Sequence, residues 1–273
     1  MSFNNFNTFI TAQLLYNISY NVYTPVGLEP LVSKIQNICV CSDVYHRCGL
    51  KPNHYLINLD PGNGHSTVAT YVSDAFHEYG IRHFGGLDLF LEYTLDGSMA
   101  QLRQVLNDIK ACAVYTNEYE GVIALDISGL AAHLNETQVS MFLKELPAIA
   151  EHATLILYVP SKINRNIAQL IDKVSAVLGE SLDVISIEAY TEDNLVTIIK
   201  ELINEAGVDL EETDDINDCI LSAIRLTGST TLKDAKQLVQ TMVKNACFEH
   251  FVPILNSQLI NAAFNASIAK EVK

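Results

Sequence analysis

Tyr55-Leu56-Ile57-Asn58-Leu59-Asp60-Pro61-Gly62-Asn63-Gly64-His65-Ser66-Thr67-Val68-Ala69 is the stretch from which the fold can be read. A short apolar run enters a turn of proline and glycine, and Ser66-Thr67 open a helix expected to run to about Tyr79. A strand, a glycine turn and a helix in that order make a phosphate-binding loop, because the free N–H groups of the turn and of the helix N-terminus attract anions. The full motif is G-x-x-x-x-G-K-[ST]. Leu59 stands at its first glycine, Gly64 at the second, His65 at the lysine and Ser66 at the hydroxyl, so two of four defining positions are lost. The residues set around an anion would be Pro61, Gly62, Asn63, Gly64, His65, Ser66 and Thr67.

The missing lysine matters most. Its long stem carries a permanent charge to the terminal phosphates, whereas an unperturbed histidine is shorter and mostly neutral at pH 7. Losing one charge-assisted contact costs ~1.5–3 kcal/mol, roughly tenfold to a hundredfold in affinity. Asp60 adds a carboxylate that opposes a triphosphate. Nothing bulky stands in the turn, so the expected state is a decayed site that His65→Lys would partly restore. ATP or ADP with Mg²⁺ is expected to bind weakly or not at all.

Outward from the turn, short apolar runs alternate with amphipathic stretches. His54 to Leu59, Leu87 to Tyr93, Val122 to Asp126, Thr154 to Val159 and Val184 to Ile187 each have the length of a buried strand. Helix-length segments between most of them predict a parallel sheet covered by helices on both faces. Before the first strand, Pro30 suits a helix start, and Leu31, Ile35 and Ile38 follow at helical spacing. After residue 190 no strand-like run remains, and helices are expected at about 191–206, 214–227, 231–247 and 254–270. The expected organisation is an N-terminal extension with a leading helix over 1–50, an α/β P-loop-like core over 51–189 and a helical lid over 190–273.

Several landmarks in order resemble an AAA+ ATPase module, with the CbxX/CfxQ branch, which includes activators of red-type Rubisco, the nearest in type. Val26-Gly27-Leu28-Glu29-Pro30 resembles the segment opening that module, and His54 to Ala69 resembles its first strand and Walker A loop. Gly121-Val122-Ile123-Ala124-Leu125-Asp126 resembles Walker B. Glu188 to Leu195 resembles the opening of the helical lid, and Thr231 to Val239 the sensor 2 helix. The resemblance covers roughly residues 26 to 247 and implies an α/β fold: a five-stranded parallel sheet of AAA+ type with a C-terminal all-helical lid.

The catalytic positions depart from the family. Walker B there ends in Asp-Glu; Asp126 is kept, but Ile127 replaces the Glu that activates water. Sensor 1 would be Tyr158 or Ser161. Between Asp172 and Asp183, where an arginine finger worth ~10³–10⁵ in rate would fall, the one basic residue is Lys173. Sensor 2 would be Lys233 or Lys236, which keep a charge but lack the planar fork of arginine. Four elements lost together imply a pseudo-ATPase, with no catalytic residue expected, acting as a scaffold or regulatory subunit through protein partners: an active AAA+ relative or further copies of itself. Two other readings stay open: a nucleotide-binding ATPase with an atypical loop, and a DNA-associated clamp-loader-like subunit.

Composition narrows the partners. The 273 residues are 49% hydrophobic and 18% charged, enough apolar material for a core, and length allows one large domain or about two ordinary ones. Seventeen basic against 32 acidic residues give a net charge of −15, spread from Asp60 to Glu271, which opposes binding to a phosphate backbone. No run of ~20 apolar residues suggests a membrane span, and Met1-Ser2-Phe3-Asn4-Asn5 lacks a signal-peptide pattern, so a cytoplasmic location is expected. Asn17-Ile18-Ser19 and Asn135-Glu136-Thr137 match the glycosylation pattern by chance on that expectation. Six cysteines in a chain of this length are not a disulfide framework. Cys39, Cys41, His46 and Cys48 fall within ten residues, but their spacing is not a standard structural-zinc pattern, and no metal is expected. Cys112, Cys219 and Cys247 read as core, and His133 and His152 as solvated residues flanking the 135–150 helix.

Overall fold

The computed structural model describes residues 26–82, 90–111, 121–133, 135–211, 213, 215–245 and 254–271. Residues 1–24, the first part of the expected 87–93 strand, Cys112 and Cys247 lie outside them. The chain divides into two units.

In the first unit, α1 (Glu29–Val40) has Pro30 in its first turn and buries Leu31, Val32, Ile35 and Cys39 along one stripe. α2 (Ser42–Cys48) stops at Gly49, whose φ of 60° ends the helix in the left-handed region. Then follow β1 (His54–Asn58), α3 (His65–Glu78), β2 (Phe90–Thr94), α4 (Met99–Ile109), β3 (Val122–Asp126), α5 (Ser128–His133), α6 (Glu136–His152), β4 (Thr154–Val159), α7 (Arg165–Leu178) and β5 (Leu182–Ser186). The strands form one parallel sheet in the order β2-β3-β4-β1-β5. Every residue of β1, β3 and β4 is buried, as the apolar runs imply for strands covered on both sides.

Side-chain alternation splits the core into two layers. Leu56, Ile123, Leu125, Leu155 and Leu157 face α4, α5, α6 and α7. Tyr55, Ile57, Ala124, Ile156 and Tyr158 face α1 and α3. The fifth strand starts two residues earlier than the expected Val184, because Leu182 and Asp183 already pair with His54 and Tyr55. As an edge strand it alternates in burial and so lacks a continuous apolar run.

The second unit holds α8 (Glu192–Glu205), α9 (Ile216–Thr227), α10 (Leu232–Val243) and α11 (Ser257–Glu271) among its described residues, and the Gly62–Gly64 turn groups with it. Capping boxes start α8 at Thr191–Asn194 and α10 at Thr231–Asp234. The expectation of an all-helical region needs a correction. β6 (Asp209–Leu210) and β7 (Ile254–Leu255) pair in parallel, so 254–270 opens as a strand. Two-residue strands carry no periodicity from which they could be read. Among the described residues no helix is long and apolar enough to cross a membrane.

Candidate functional site

Leu59 is buried, and its N–H donates to the Val159 carbonyl at 2.9 Å, continuing the ladder one residue past β1. Gly62 and Gly64 have φ of 91° and 100°, a region that L side chains enter only with strain, which accounts for glycine at both positions. Asp60 turns sideways: it accepts the Ser161 N–H at 3.0 Å and a short hydrogen bond from the Ser161 hydroxyl. Pro61 and Ser66 are exposed, and Thr67 is half-buried in the first turn of α3.

His65, the first residue of α3, points into the fold. Its side chain is 11% exposed, and Nε2 lies 2.8 Å from the Leu59 carbonyl oxygen. A carbonyl only accepts, so Nε2 carries the hydrogen in this contact. Nδ1 lies 4.0 Å from Asp126 Oδ2. The imidazole stacks on the ring of Tyr158, with centroids 4.0 Å apart and planes 2° from parallel. Such aromatic pairs are worth ~0.5–1.5 kcal/mol beyond burial. The Tyr158 hydroxyl donates to the His65 backbone carbonyl at 2.7 Å. Burial, with Glu92 and Asp126 adding to it, pushes the Tyr158 phenol well up, so it stays a neutral donor.

Asp126 ends β3 directly opposite Tyr158 in the register and is 4% exposed. Its Oδ1 accepts the Ser128 N–H at 2.9 Å. Ile127 is fully buried in the core layer under α4–α7, and its N–H donates to the Tyr158 carbonyl. The two sensor 1 candidates, Tyr158 and Ser161, are both bonded to the loop, the first to His65 and the second to Asp60.

Lys233 and Lys236 are exposed on α10 in the second unit. There the Lys233 N–H donates to the Gly62 carbonyl at 3.0 Å, and the Tyr190 hydroxyl donates to the Asn63 carbonyl at 3.1 Å. A Cβ added at Gly62 would lie 3.5 Å from Lys233 Cβ, so these two candidates come together through backbone. Cys39 is buried with its thiol donating to Ala75 O, while Cys41 and Cys48 are exposed. Among the described residues no three His, Cys, Asp or Glu side chains could hold a metal ion. The stacking role of Tyr158 was not legible in the sequence; the signal was only its position on a strand flanking β1.

No family model matches the chain, and no curated protein matches it. Solved structures do. The Thermotoga maritima RuvB Holliday junction branch migration motor aligns with a TM-score of 0.58 at 17% identity, over 88% of this chain and 70% of that one. Two point variants of the same RuvB align with TM-scores of 0.57 and 0.56 at 15% and 13% identity, covering 89% and 90% of this chain and 70% of each. RuvB is an AAA+ ATPase, and likeness at this identity speaks for the fold. The parallel sheet in the order β2-β3-β4-β1-β5, flanked by helices and followed by a helical C-terminal region, is therefore an AAA+ P-loop α/β fold.

Proposed function

We propose that this chain is a degenerate AAA+ module, nearest in type to the CbxX/CfxQ branch, that has given up hydrolysis and acts through protein contact as a scaffold or regulatory subunit. The observation that carries this reading is Ile127. It occupies the position of the water-activating glutamate and is fully buried in the apolar core, where no side chain can polarise water.

The loop does not fit a Mg²⁺-triphosphate either. The residue at the lysine position turns one ring nitrogen to Leu59 O and the other toward Asp126. Asp60 brings a second carboxylate to the same loop. Protein partners, whether an active AAA+ relative or further copies of the chain, suit an acidic molecule of net charge −15 better than a phosphate backbone does.

One feature favours the alternative of an atypical nucleotide-binding ATPase: Gly62 and Gly64 keep the left-handed turn of a working loop. Phosphate release from Mg-ATP by the purified chain tests the two. The expected result is none, and turnover near ~1 s⁻¹, within the usual enzyme range and abolished by Asp126→Ala, overturns the proposal. Binding to DNA that weakens steeply with salt would instead favour a clamp-loader-like role.

A further inference from the structure

We infer that packed side chains occupy the lysine position of the phosphate-binding motif, and that the His65–Tyr158 stack is a structural keystone of the α/β unit. The inference rests on the reading above and deepens it. A loop left empty by decay would keep its polar groups free for solvent; here the side chain at the lysine position, both sensor 1 candidates, Asp60 and Asp126 each have a protein partner. His65 Nε2 holds Leu59 O at 2.8 Å, its ring covers Tyr158, and the Tyr158 hydroxyl returns to His65 O at 2.7 Å. Ser161 gives both its N–H and its hydroxyl to Asp60. Asp126 accepts from Ser128 N–H.

These contacts join the C-terminal ends of β1, β3 and β4 to the first residue of α3. In an active module a bound nucleotide would tie these ends together. Here the tie is covalently part of the chain and always present. A phosphate oxygen that took the Nε2 hydrogen of His65 would have to displace Leu59 O. The expectation of a merely decayed pocket, with His65→Lys restoring affinity, is replaced by one in which the lysine removes a stacking partner and a hydrogen bond.

Isothermal titration with Mg-ATP and thermal melting of the full chain test this on the wild type, His65→Lys and Tyr158→Leu. The expected result is no gain in affinity for His65→Lys and a fall in Tm of roughly 3–6 °C for each variant. A tenfold or greater gain in Mg-ATP affinity for His65→Lys, or an unchanged Tm for both variants, overturns the inference. If His65→Lys fails to fold, Tyr158→Phe decides. It keeps the ring and removes only the hydroxyl, so faster amide exchange at residues 59–66 is expected, and unchanged exchange overturns the inference. ATP turnover by the wild type would sink the pseudo-ATPase reading itself, which separates the two failures.

Discussion

Gly129, one residue into α5, lies so close to Leu95 that a Cβ on it would overlap the Leu95 carbonyl oxygen and sit 2.7 Å from the Asp96 carbonyl carbon. The loop after β2 therefore passes directly over the helix that follows Asp126, and its backbone cannot yield as the end of a flexible side chain could. Leu95 itself is buried, and its N–H donates to the Asp126 carbonyl at 2.8 Å. Gly129→Ala is expected to destabilise the chain by about 2–4 kcal/mol, the range of severe overpacking. Urea unfolding reads this as a lower midpoint. A midpoint within error of the wild type would mean that α5 can shift freely away from Leu95.

Restoring the catalytic carboxylate is expected to fail for a packing reason. Ile127→Glu installs the glutamate that the proposed reading puts at that position but places a carboxylate in a fully buried apolar layer. An uncompensated charge there costs about 3–5 kcal/mol. The expected outcome is a clear fall in the urea midpoint and no phosphate release from Mg-ATP. A stable variant that hydrolyses ATP would show that the core opens at this point.

How far the sequence carried the reading depended on where each contact is encoded. β1, β3 and β4 were legible because strands covered on both faces need unbroken apolar runs, and Val122–Asp126 and Thr154–Val159 have the expected bounds. β5 was harder, since Val184 is exposed and Asp183 pairs with Lys34 at 3.2 Å on its edge. The loop was found from its glycines, but the orientation of His65 was not. That orientation depends on Tyr158, 93 residues away, and on a strand order that puts β4 beside β1. Periodicity reports which face a residue takes; it does not report which distant ring will meet it.

Thiol chemistry separates the clustered cysteines. Burial pushes the Cys39 thiol up to about 12, with Glu78 adding to it, whereas Cys41 and Cys48 are exposed. The thiolate is the nucleophile, so iodoacetamide at pH 8 is expected to label Cys41 and Cys48 within minutes and leave Cys39 unmodified in the folded chain. Peptide mass spectrometry checks this. Labelling of Cys39 at the rate of the other two would place it outside the α1–α3 core.

The sheet end remote from the glycine turn carries a pH dependence. His54 is 6% exposed, and its Nδ1 accepts the Leu155 N–H at 3.1 Å, which fixes the hydrogen of the neutral ring on Nε2. Burial, the guanidinium of Arg82 and the ammonium of Lys51 lower its pKa from 6.5 to about 4. Arg82 is itself buried and donates from Nε to Thr154 Oγ1 at 3.1 Å, so the neighbouring positive charge is fixed in place. Between pH 6.5 and about 4 the unfolded chain binds a proton that the folded chain does not. Stability is therefore fully present above pH 6.5 and is lost as the pH falls through this window, by an amount on the order of 3 kcal/mol. His54→Asn keeps an oxygen that can accept the Leu155 N–H and removes the titration. The difference in unfolding free energy between wild type and His54→Asn, measured by urea at pH 7.5 and pH 5, cancels the shared contribution of the carboxylates. That difference is expected to move against the wild type at pH 5 by more than 1 kcal/mol, since about one and a half pH units of the window have then been crossed. A difference independent of pH would mean that His54 protonates in the folded state as readily as in the unfolded one, and that the strand ends around Thr154 admit water.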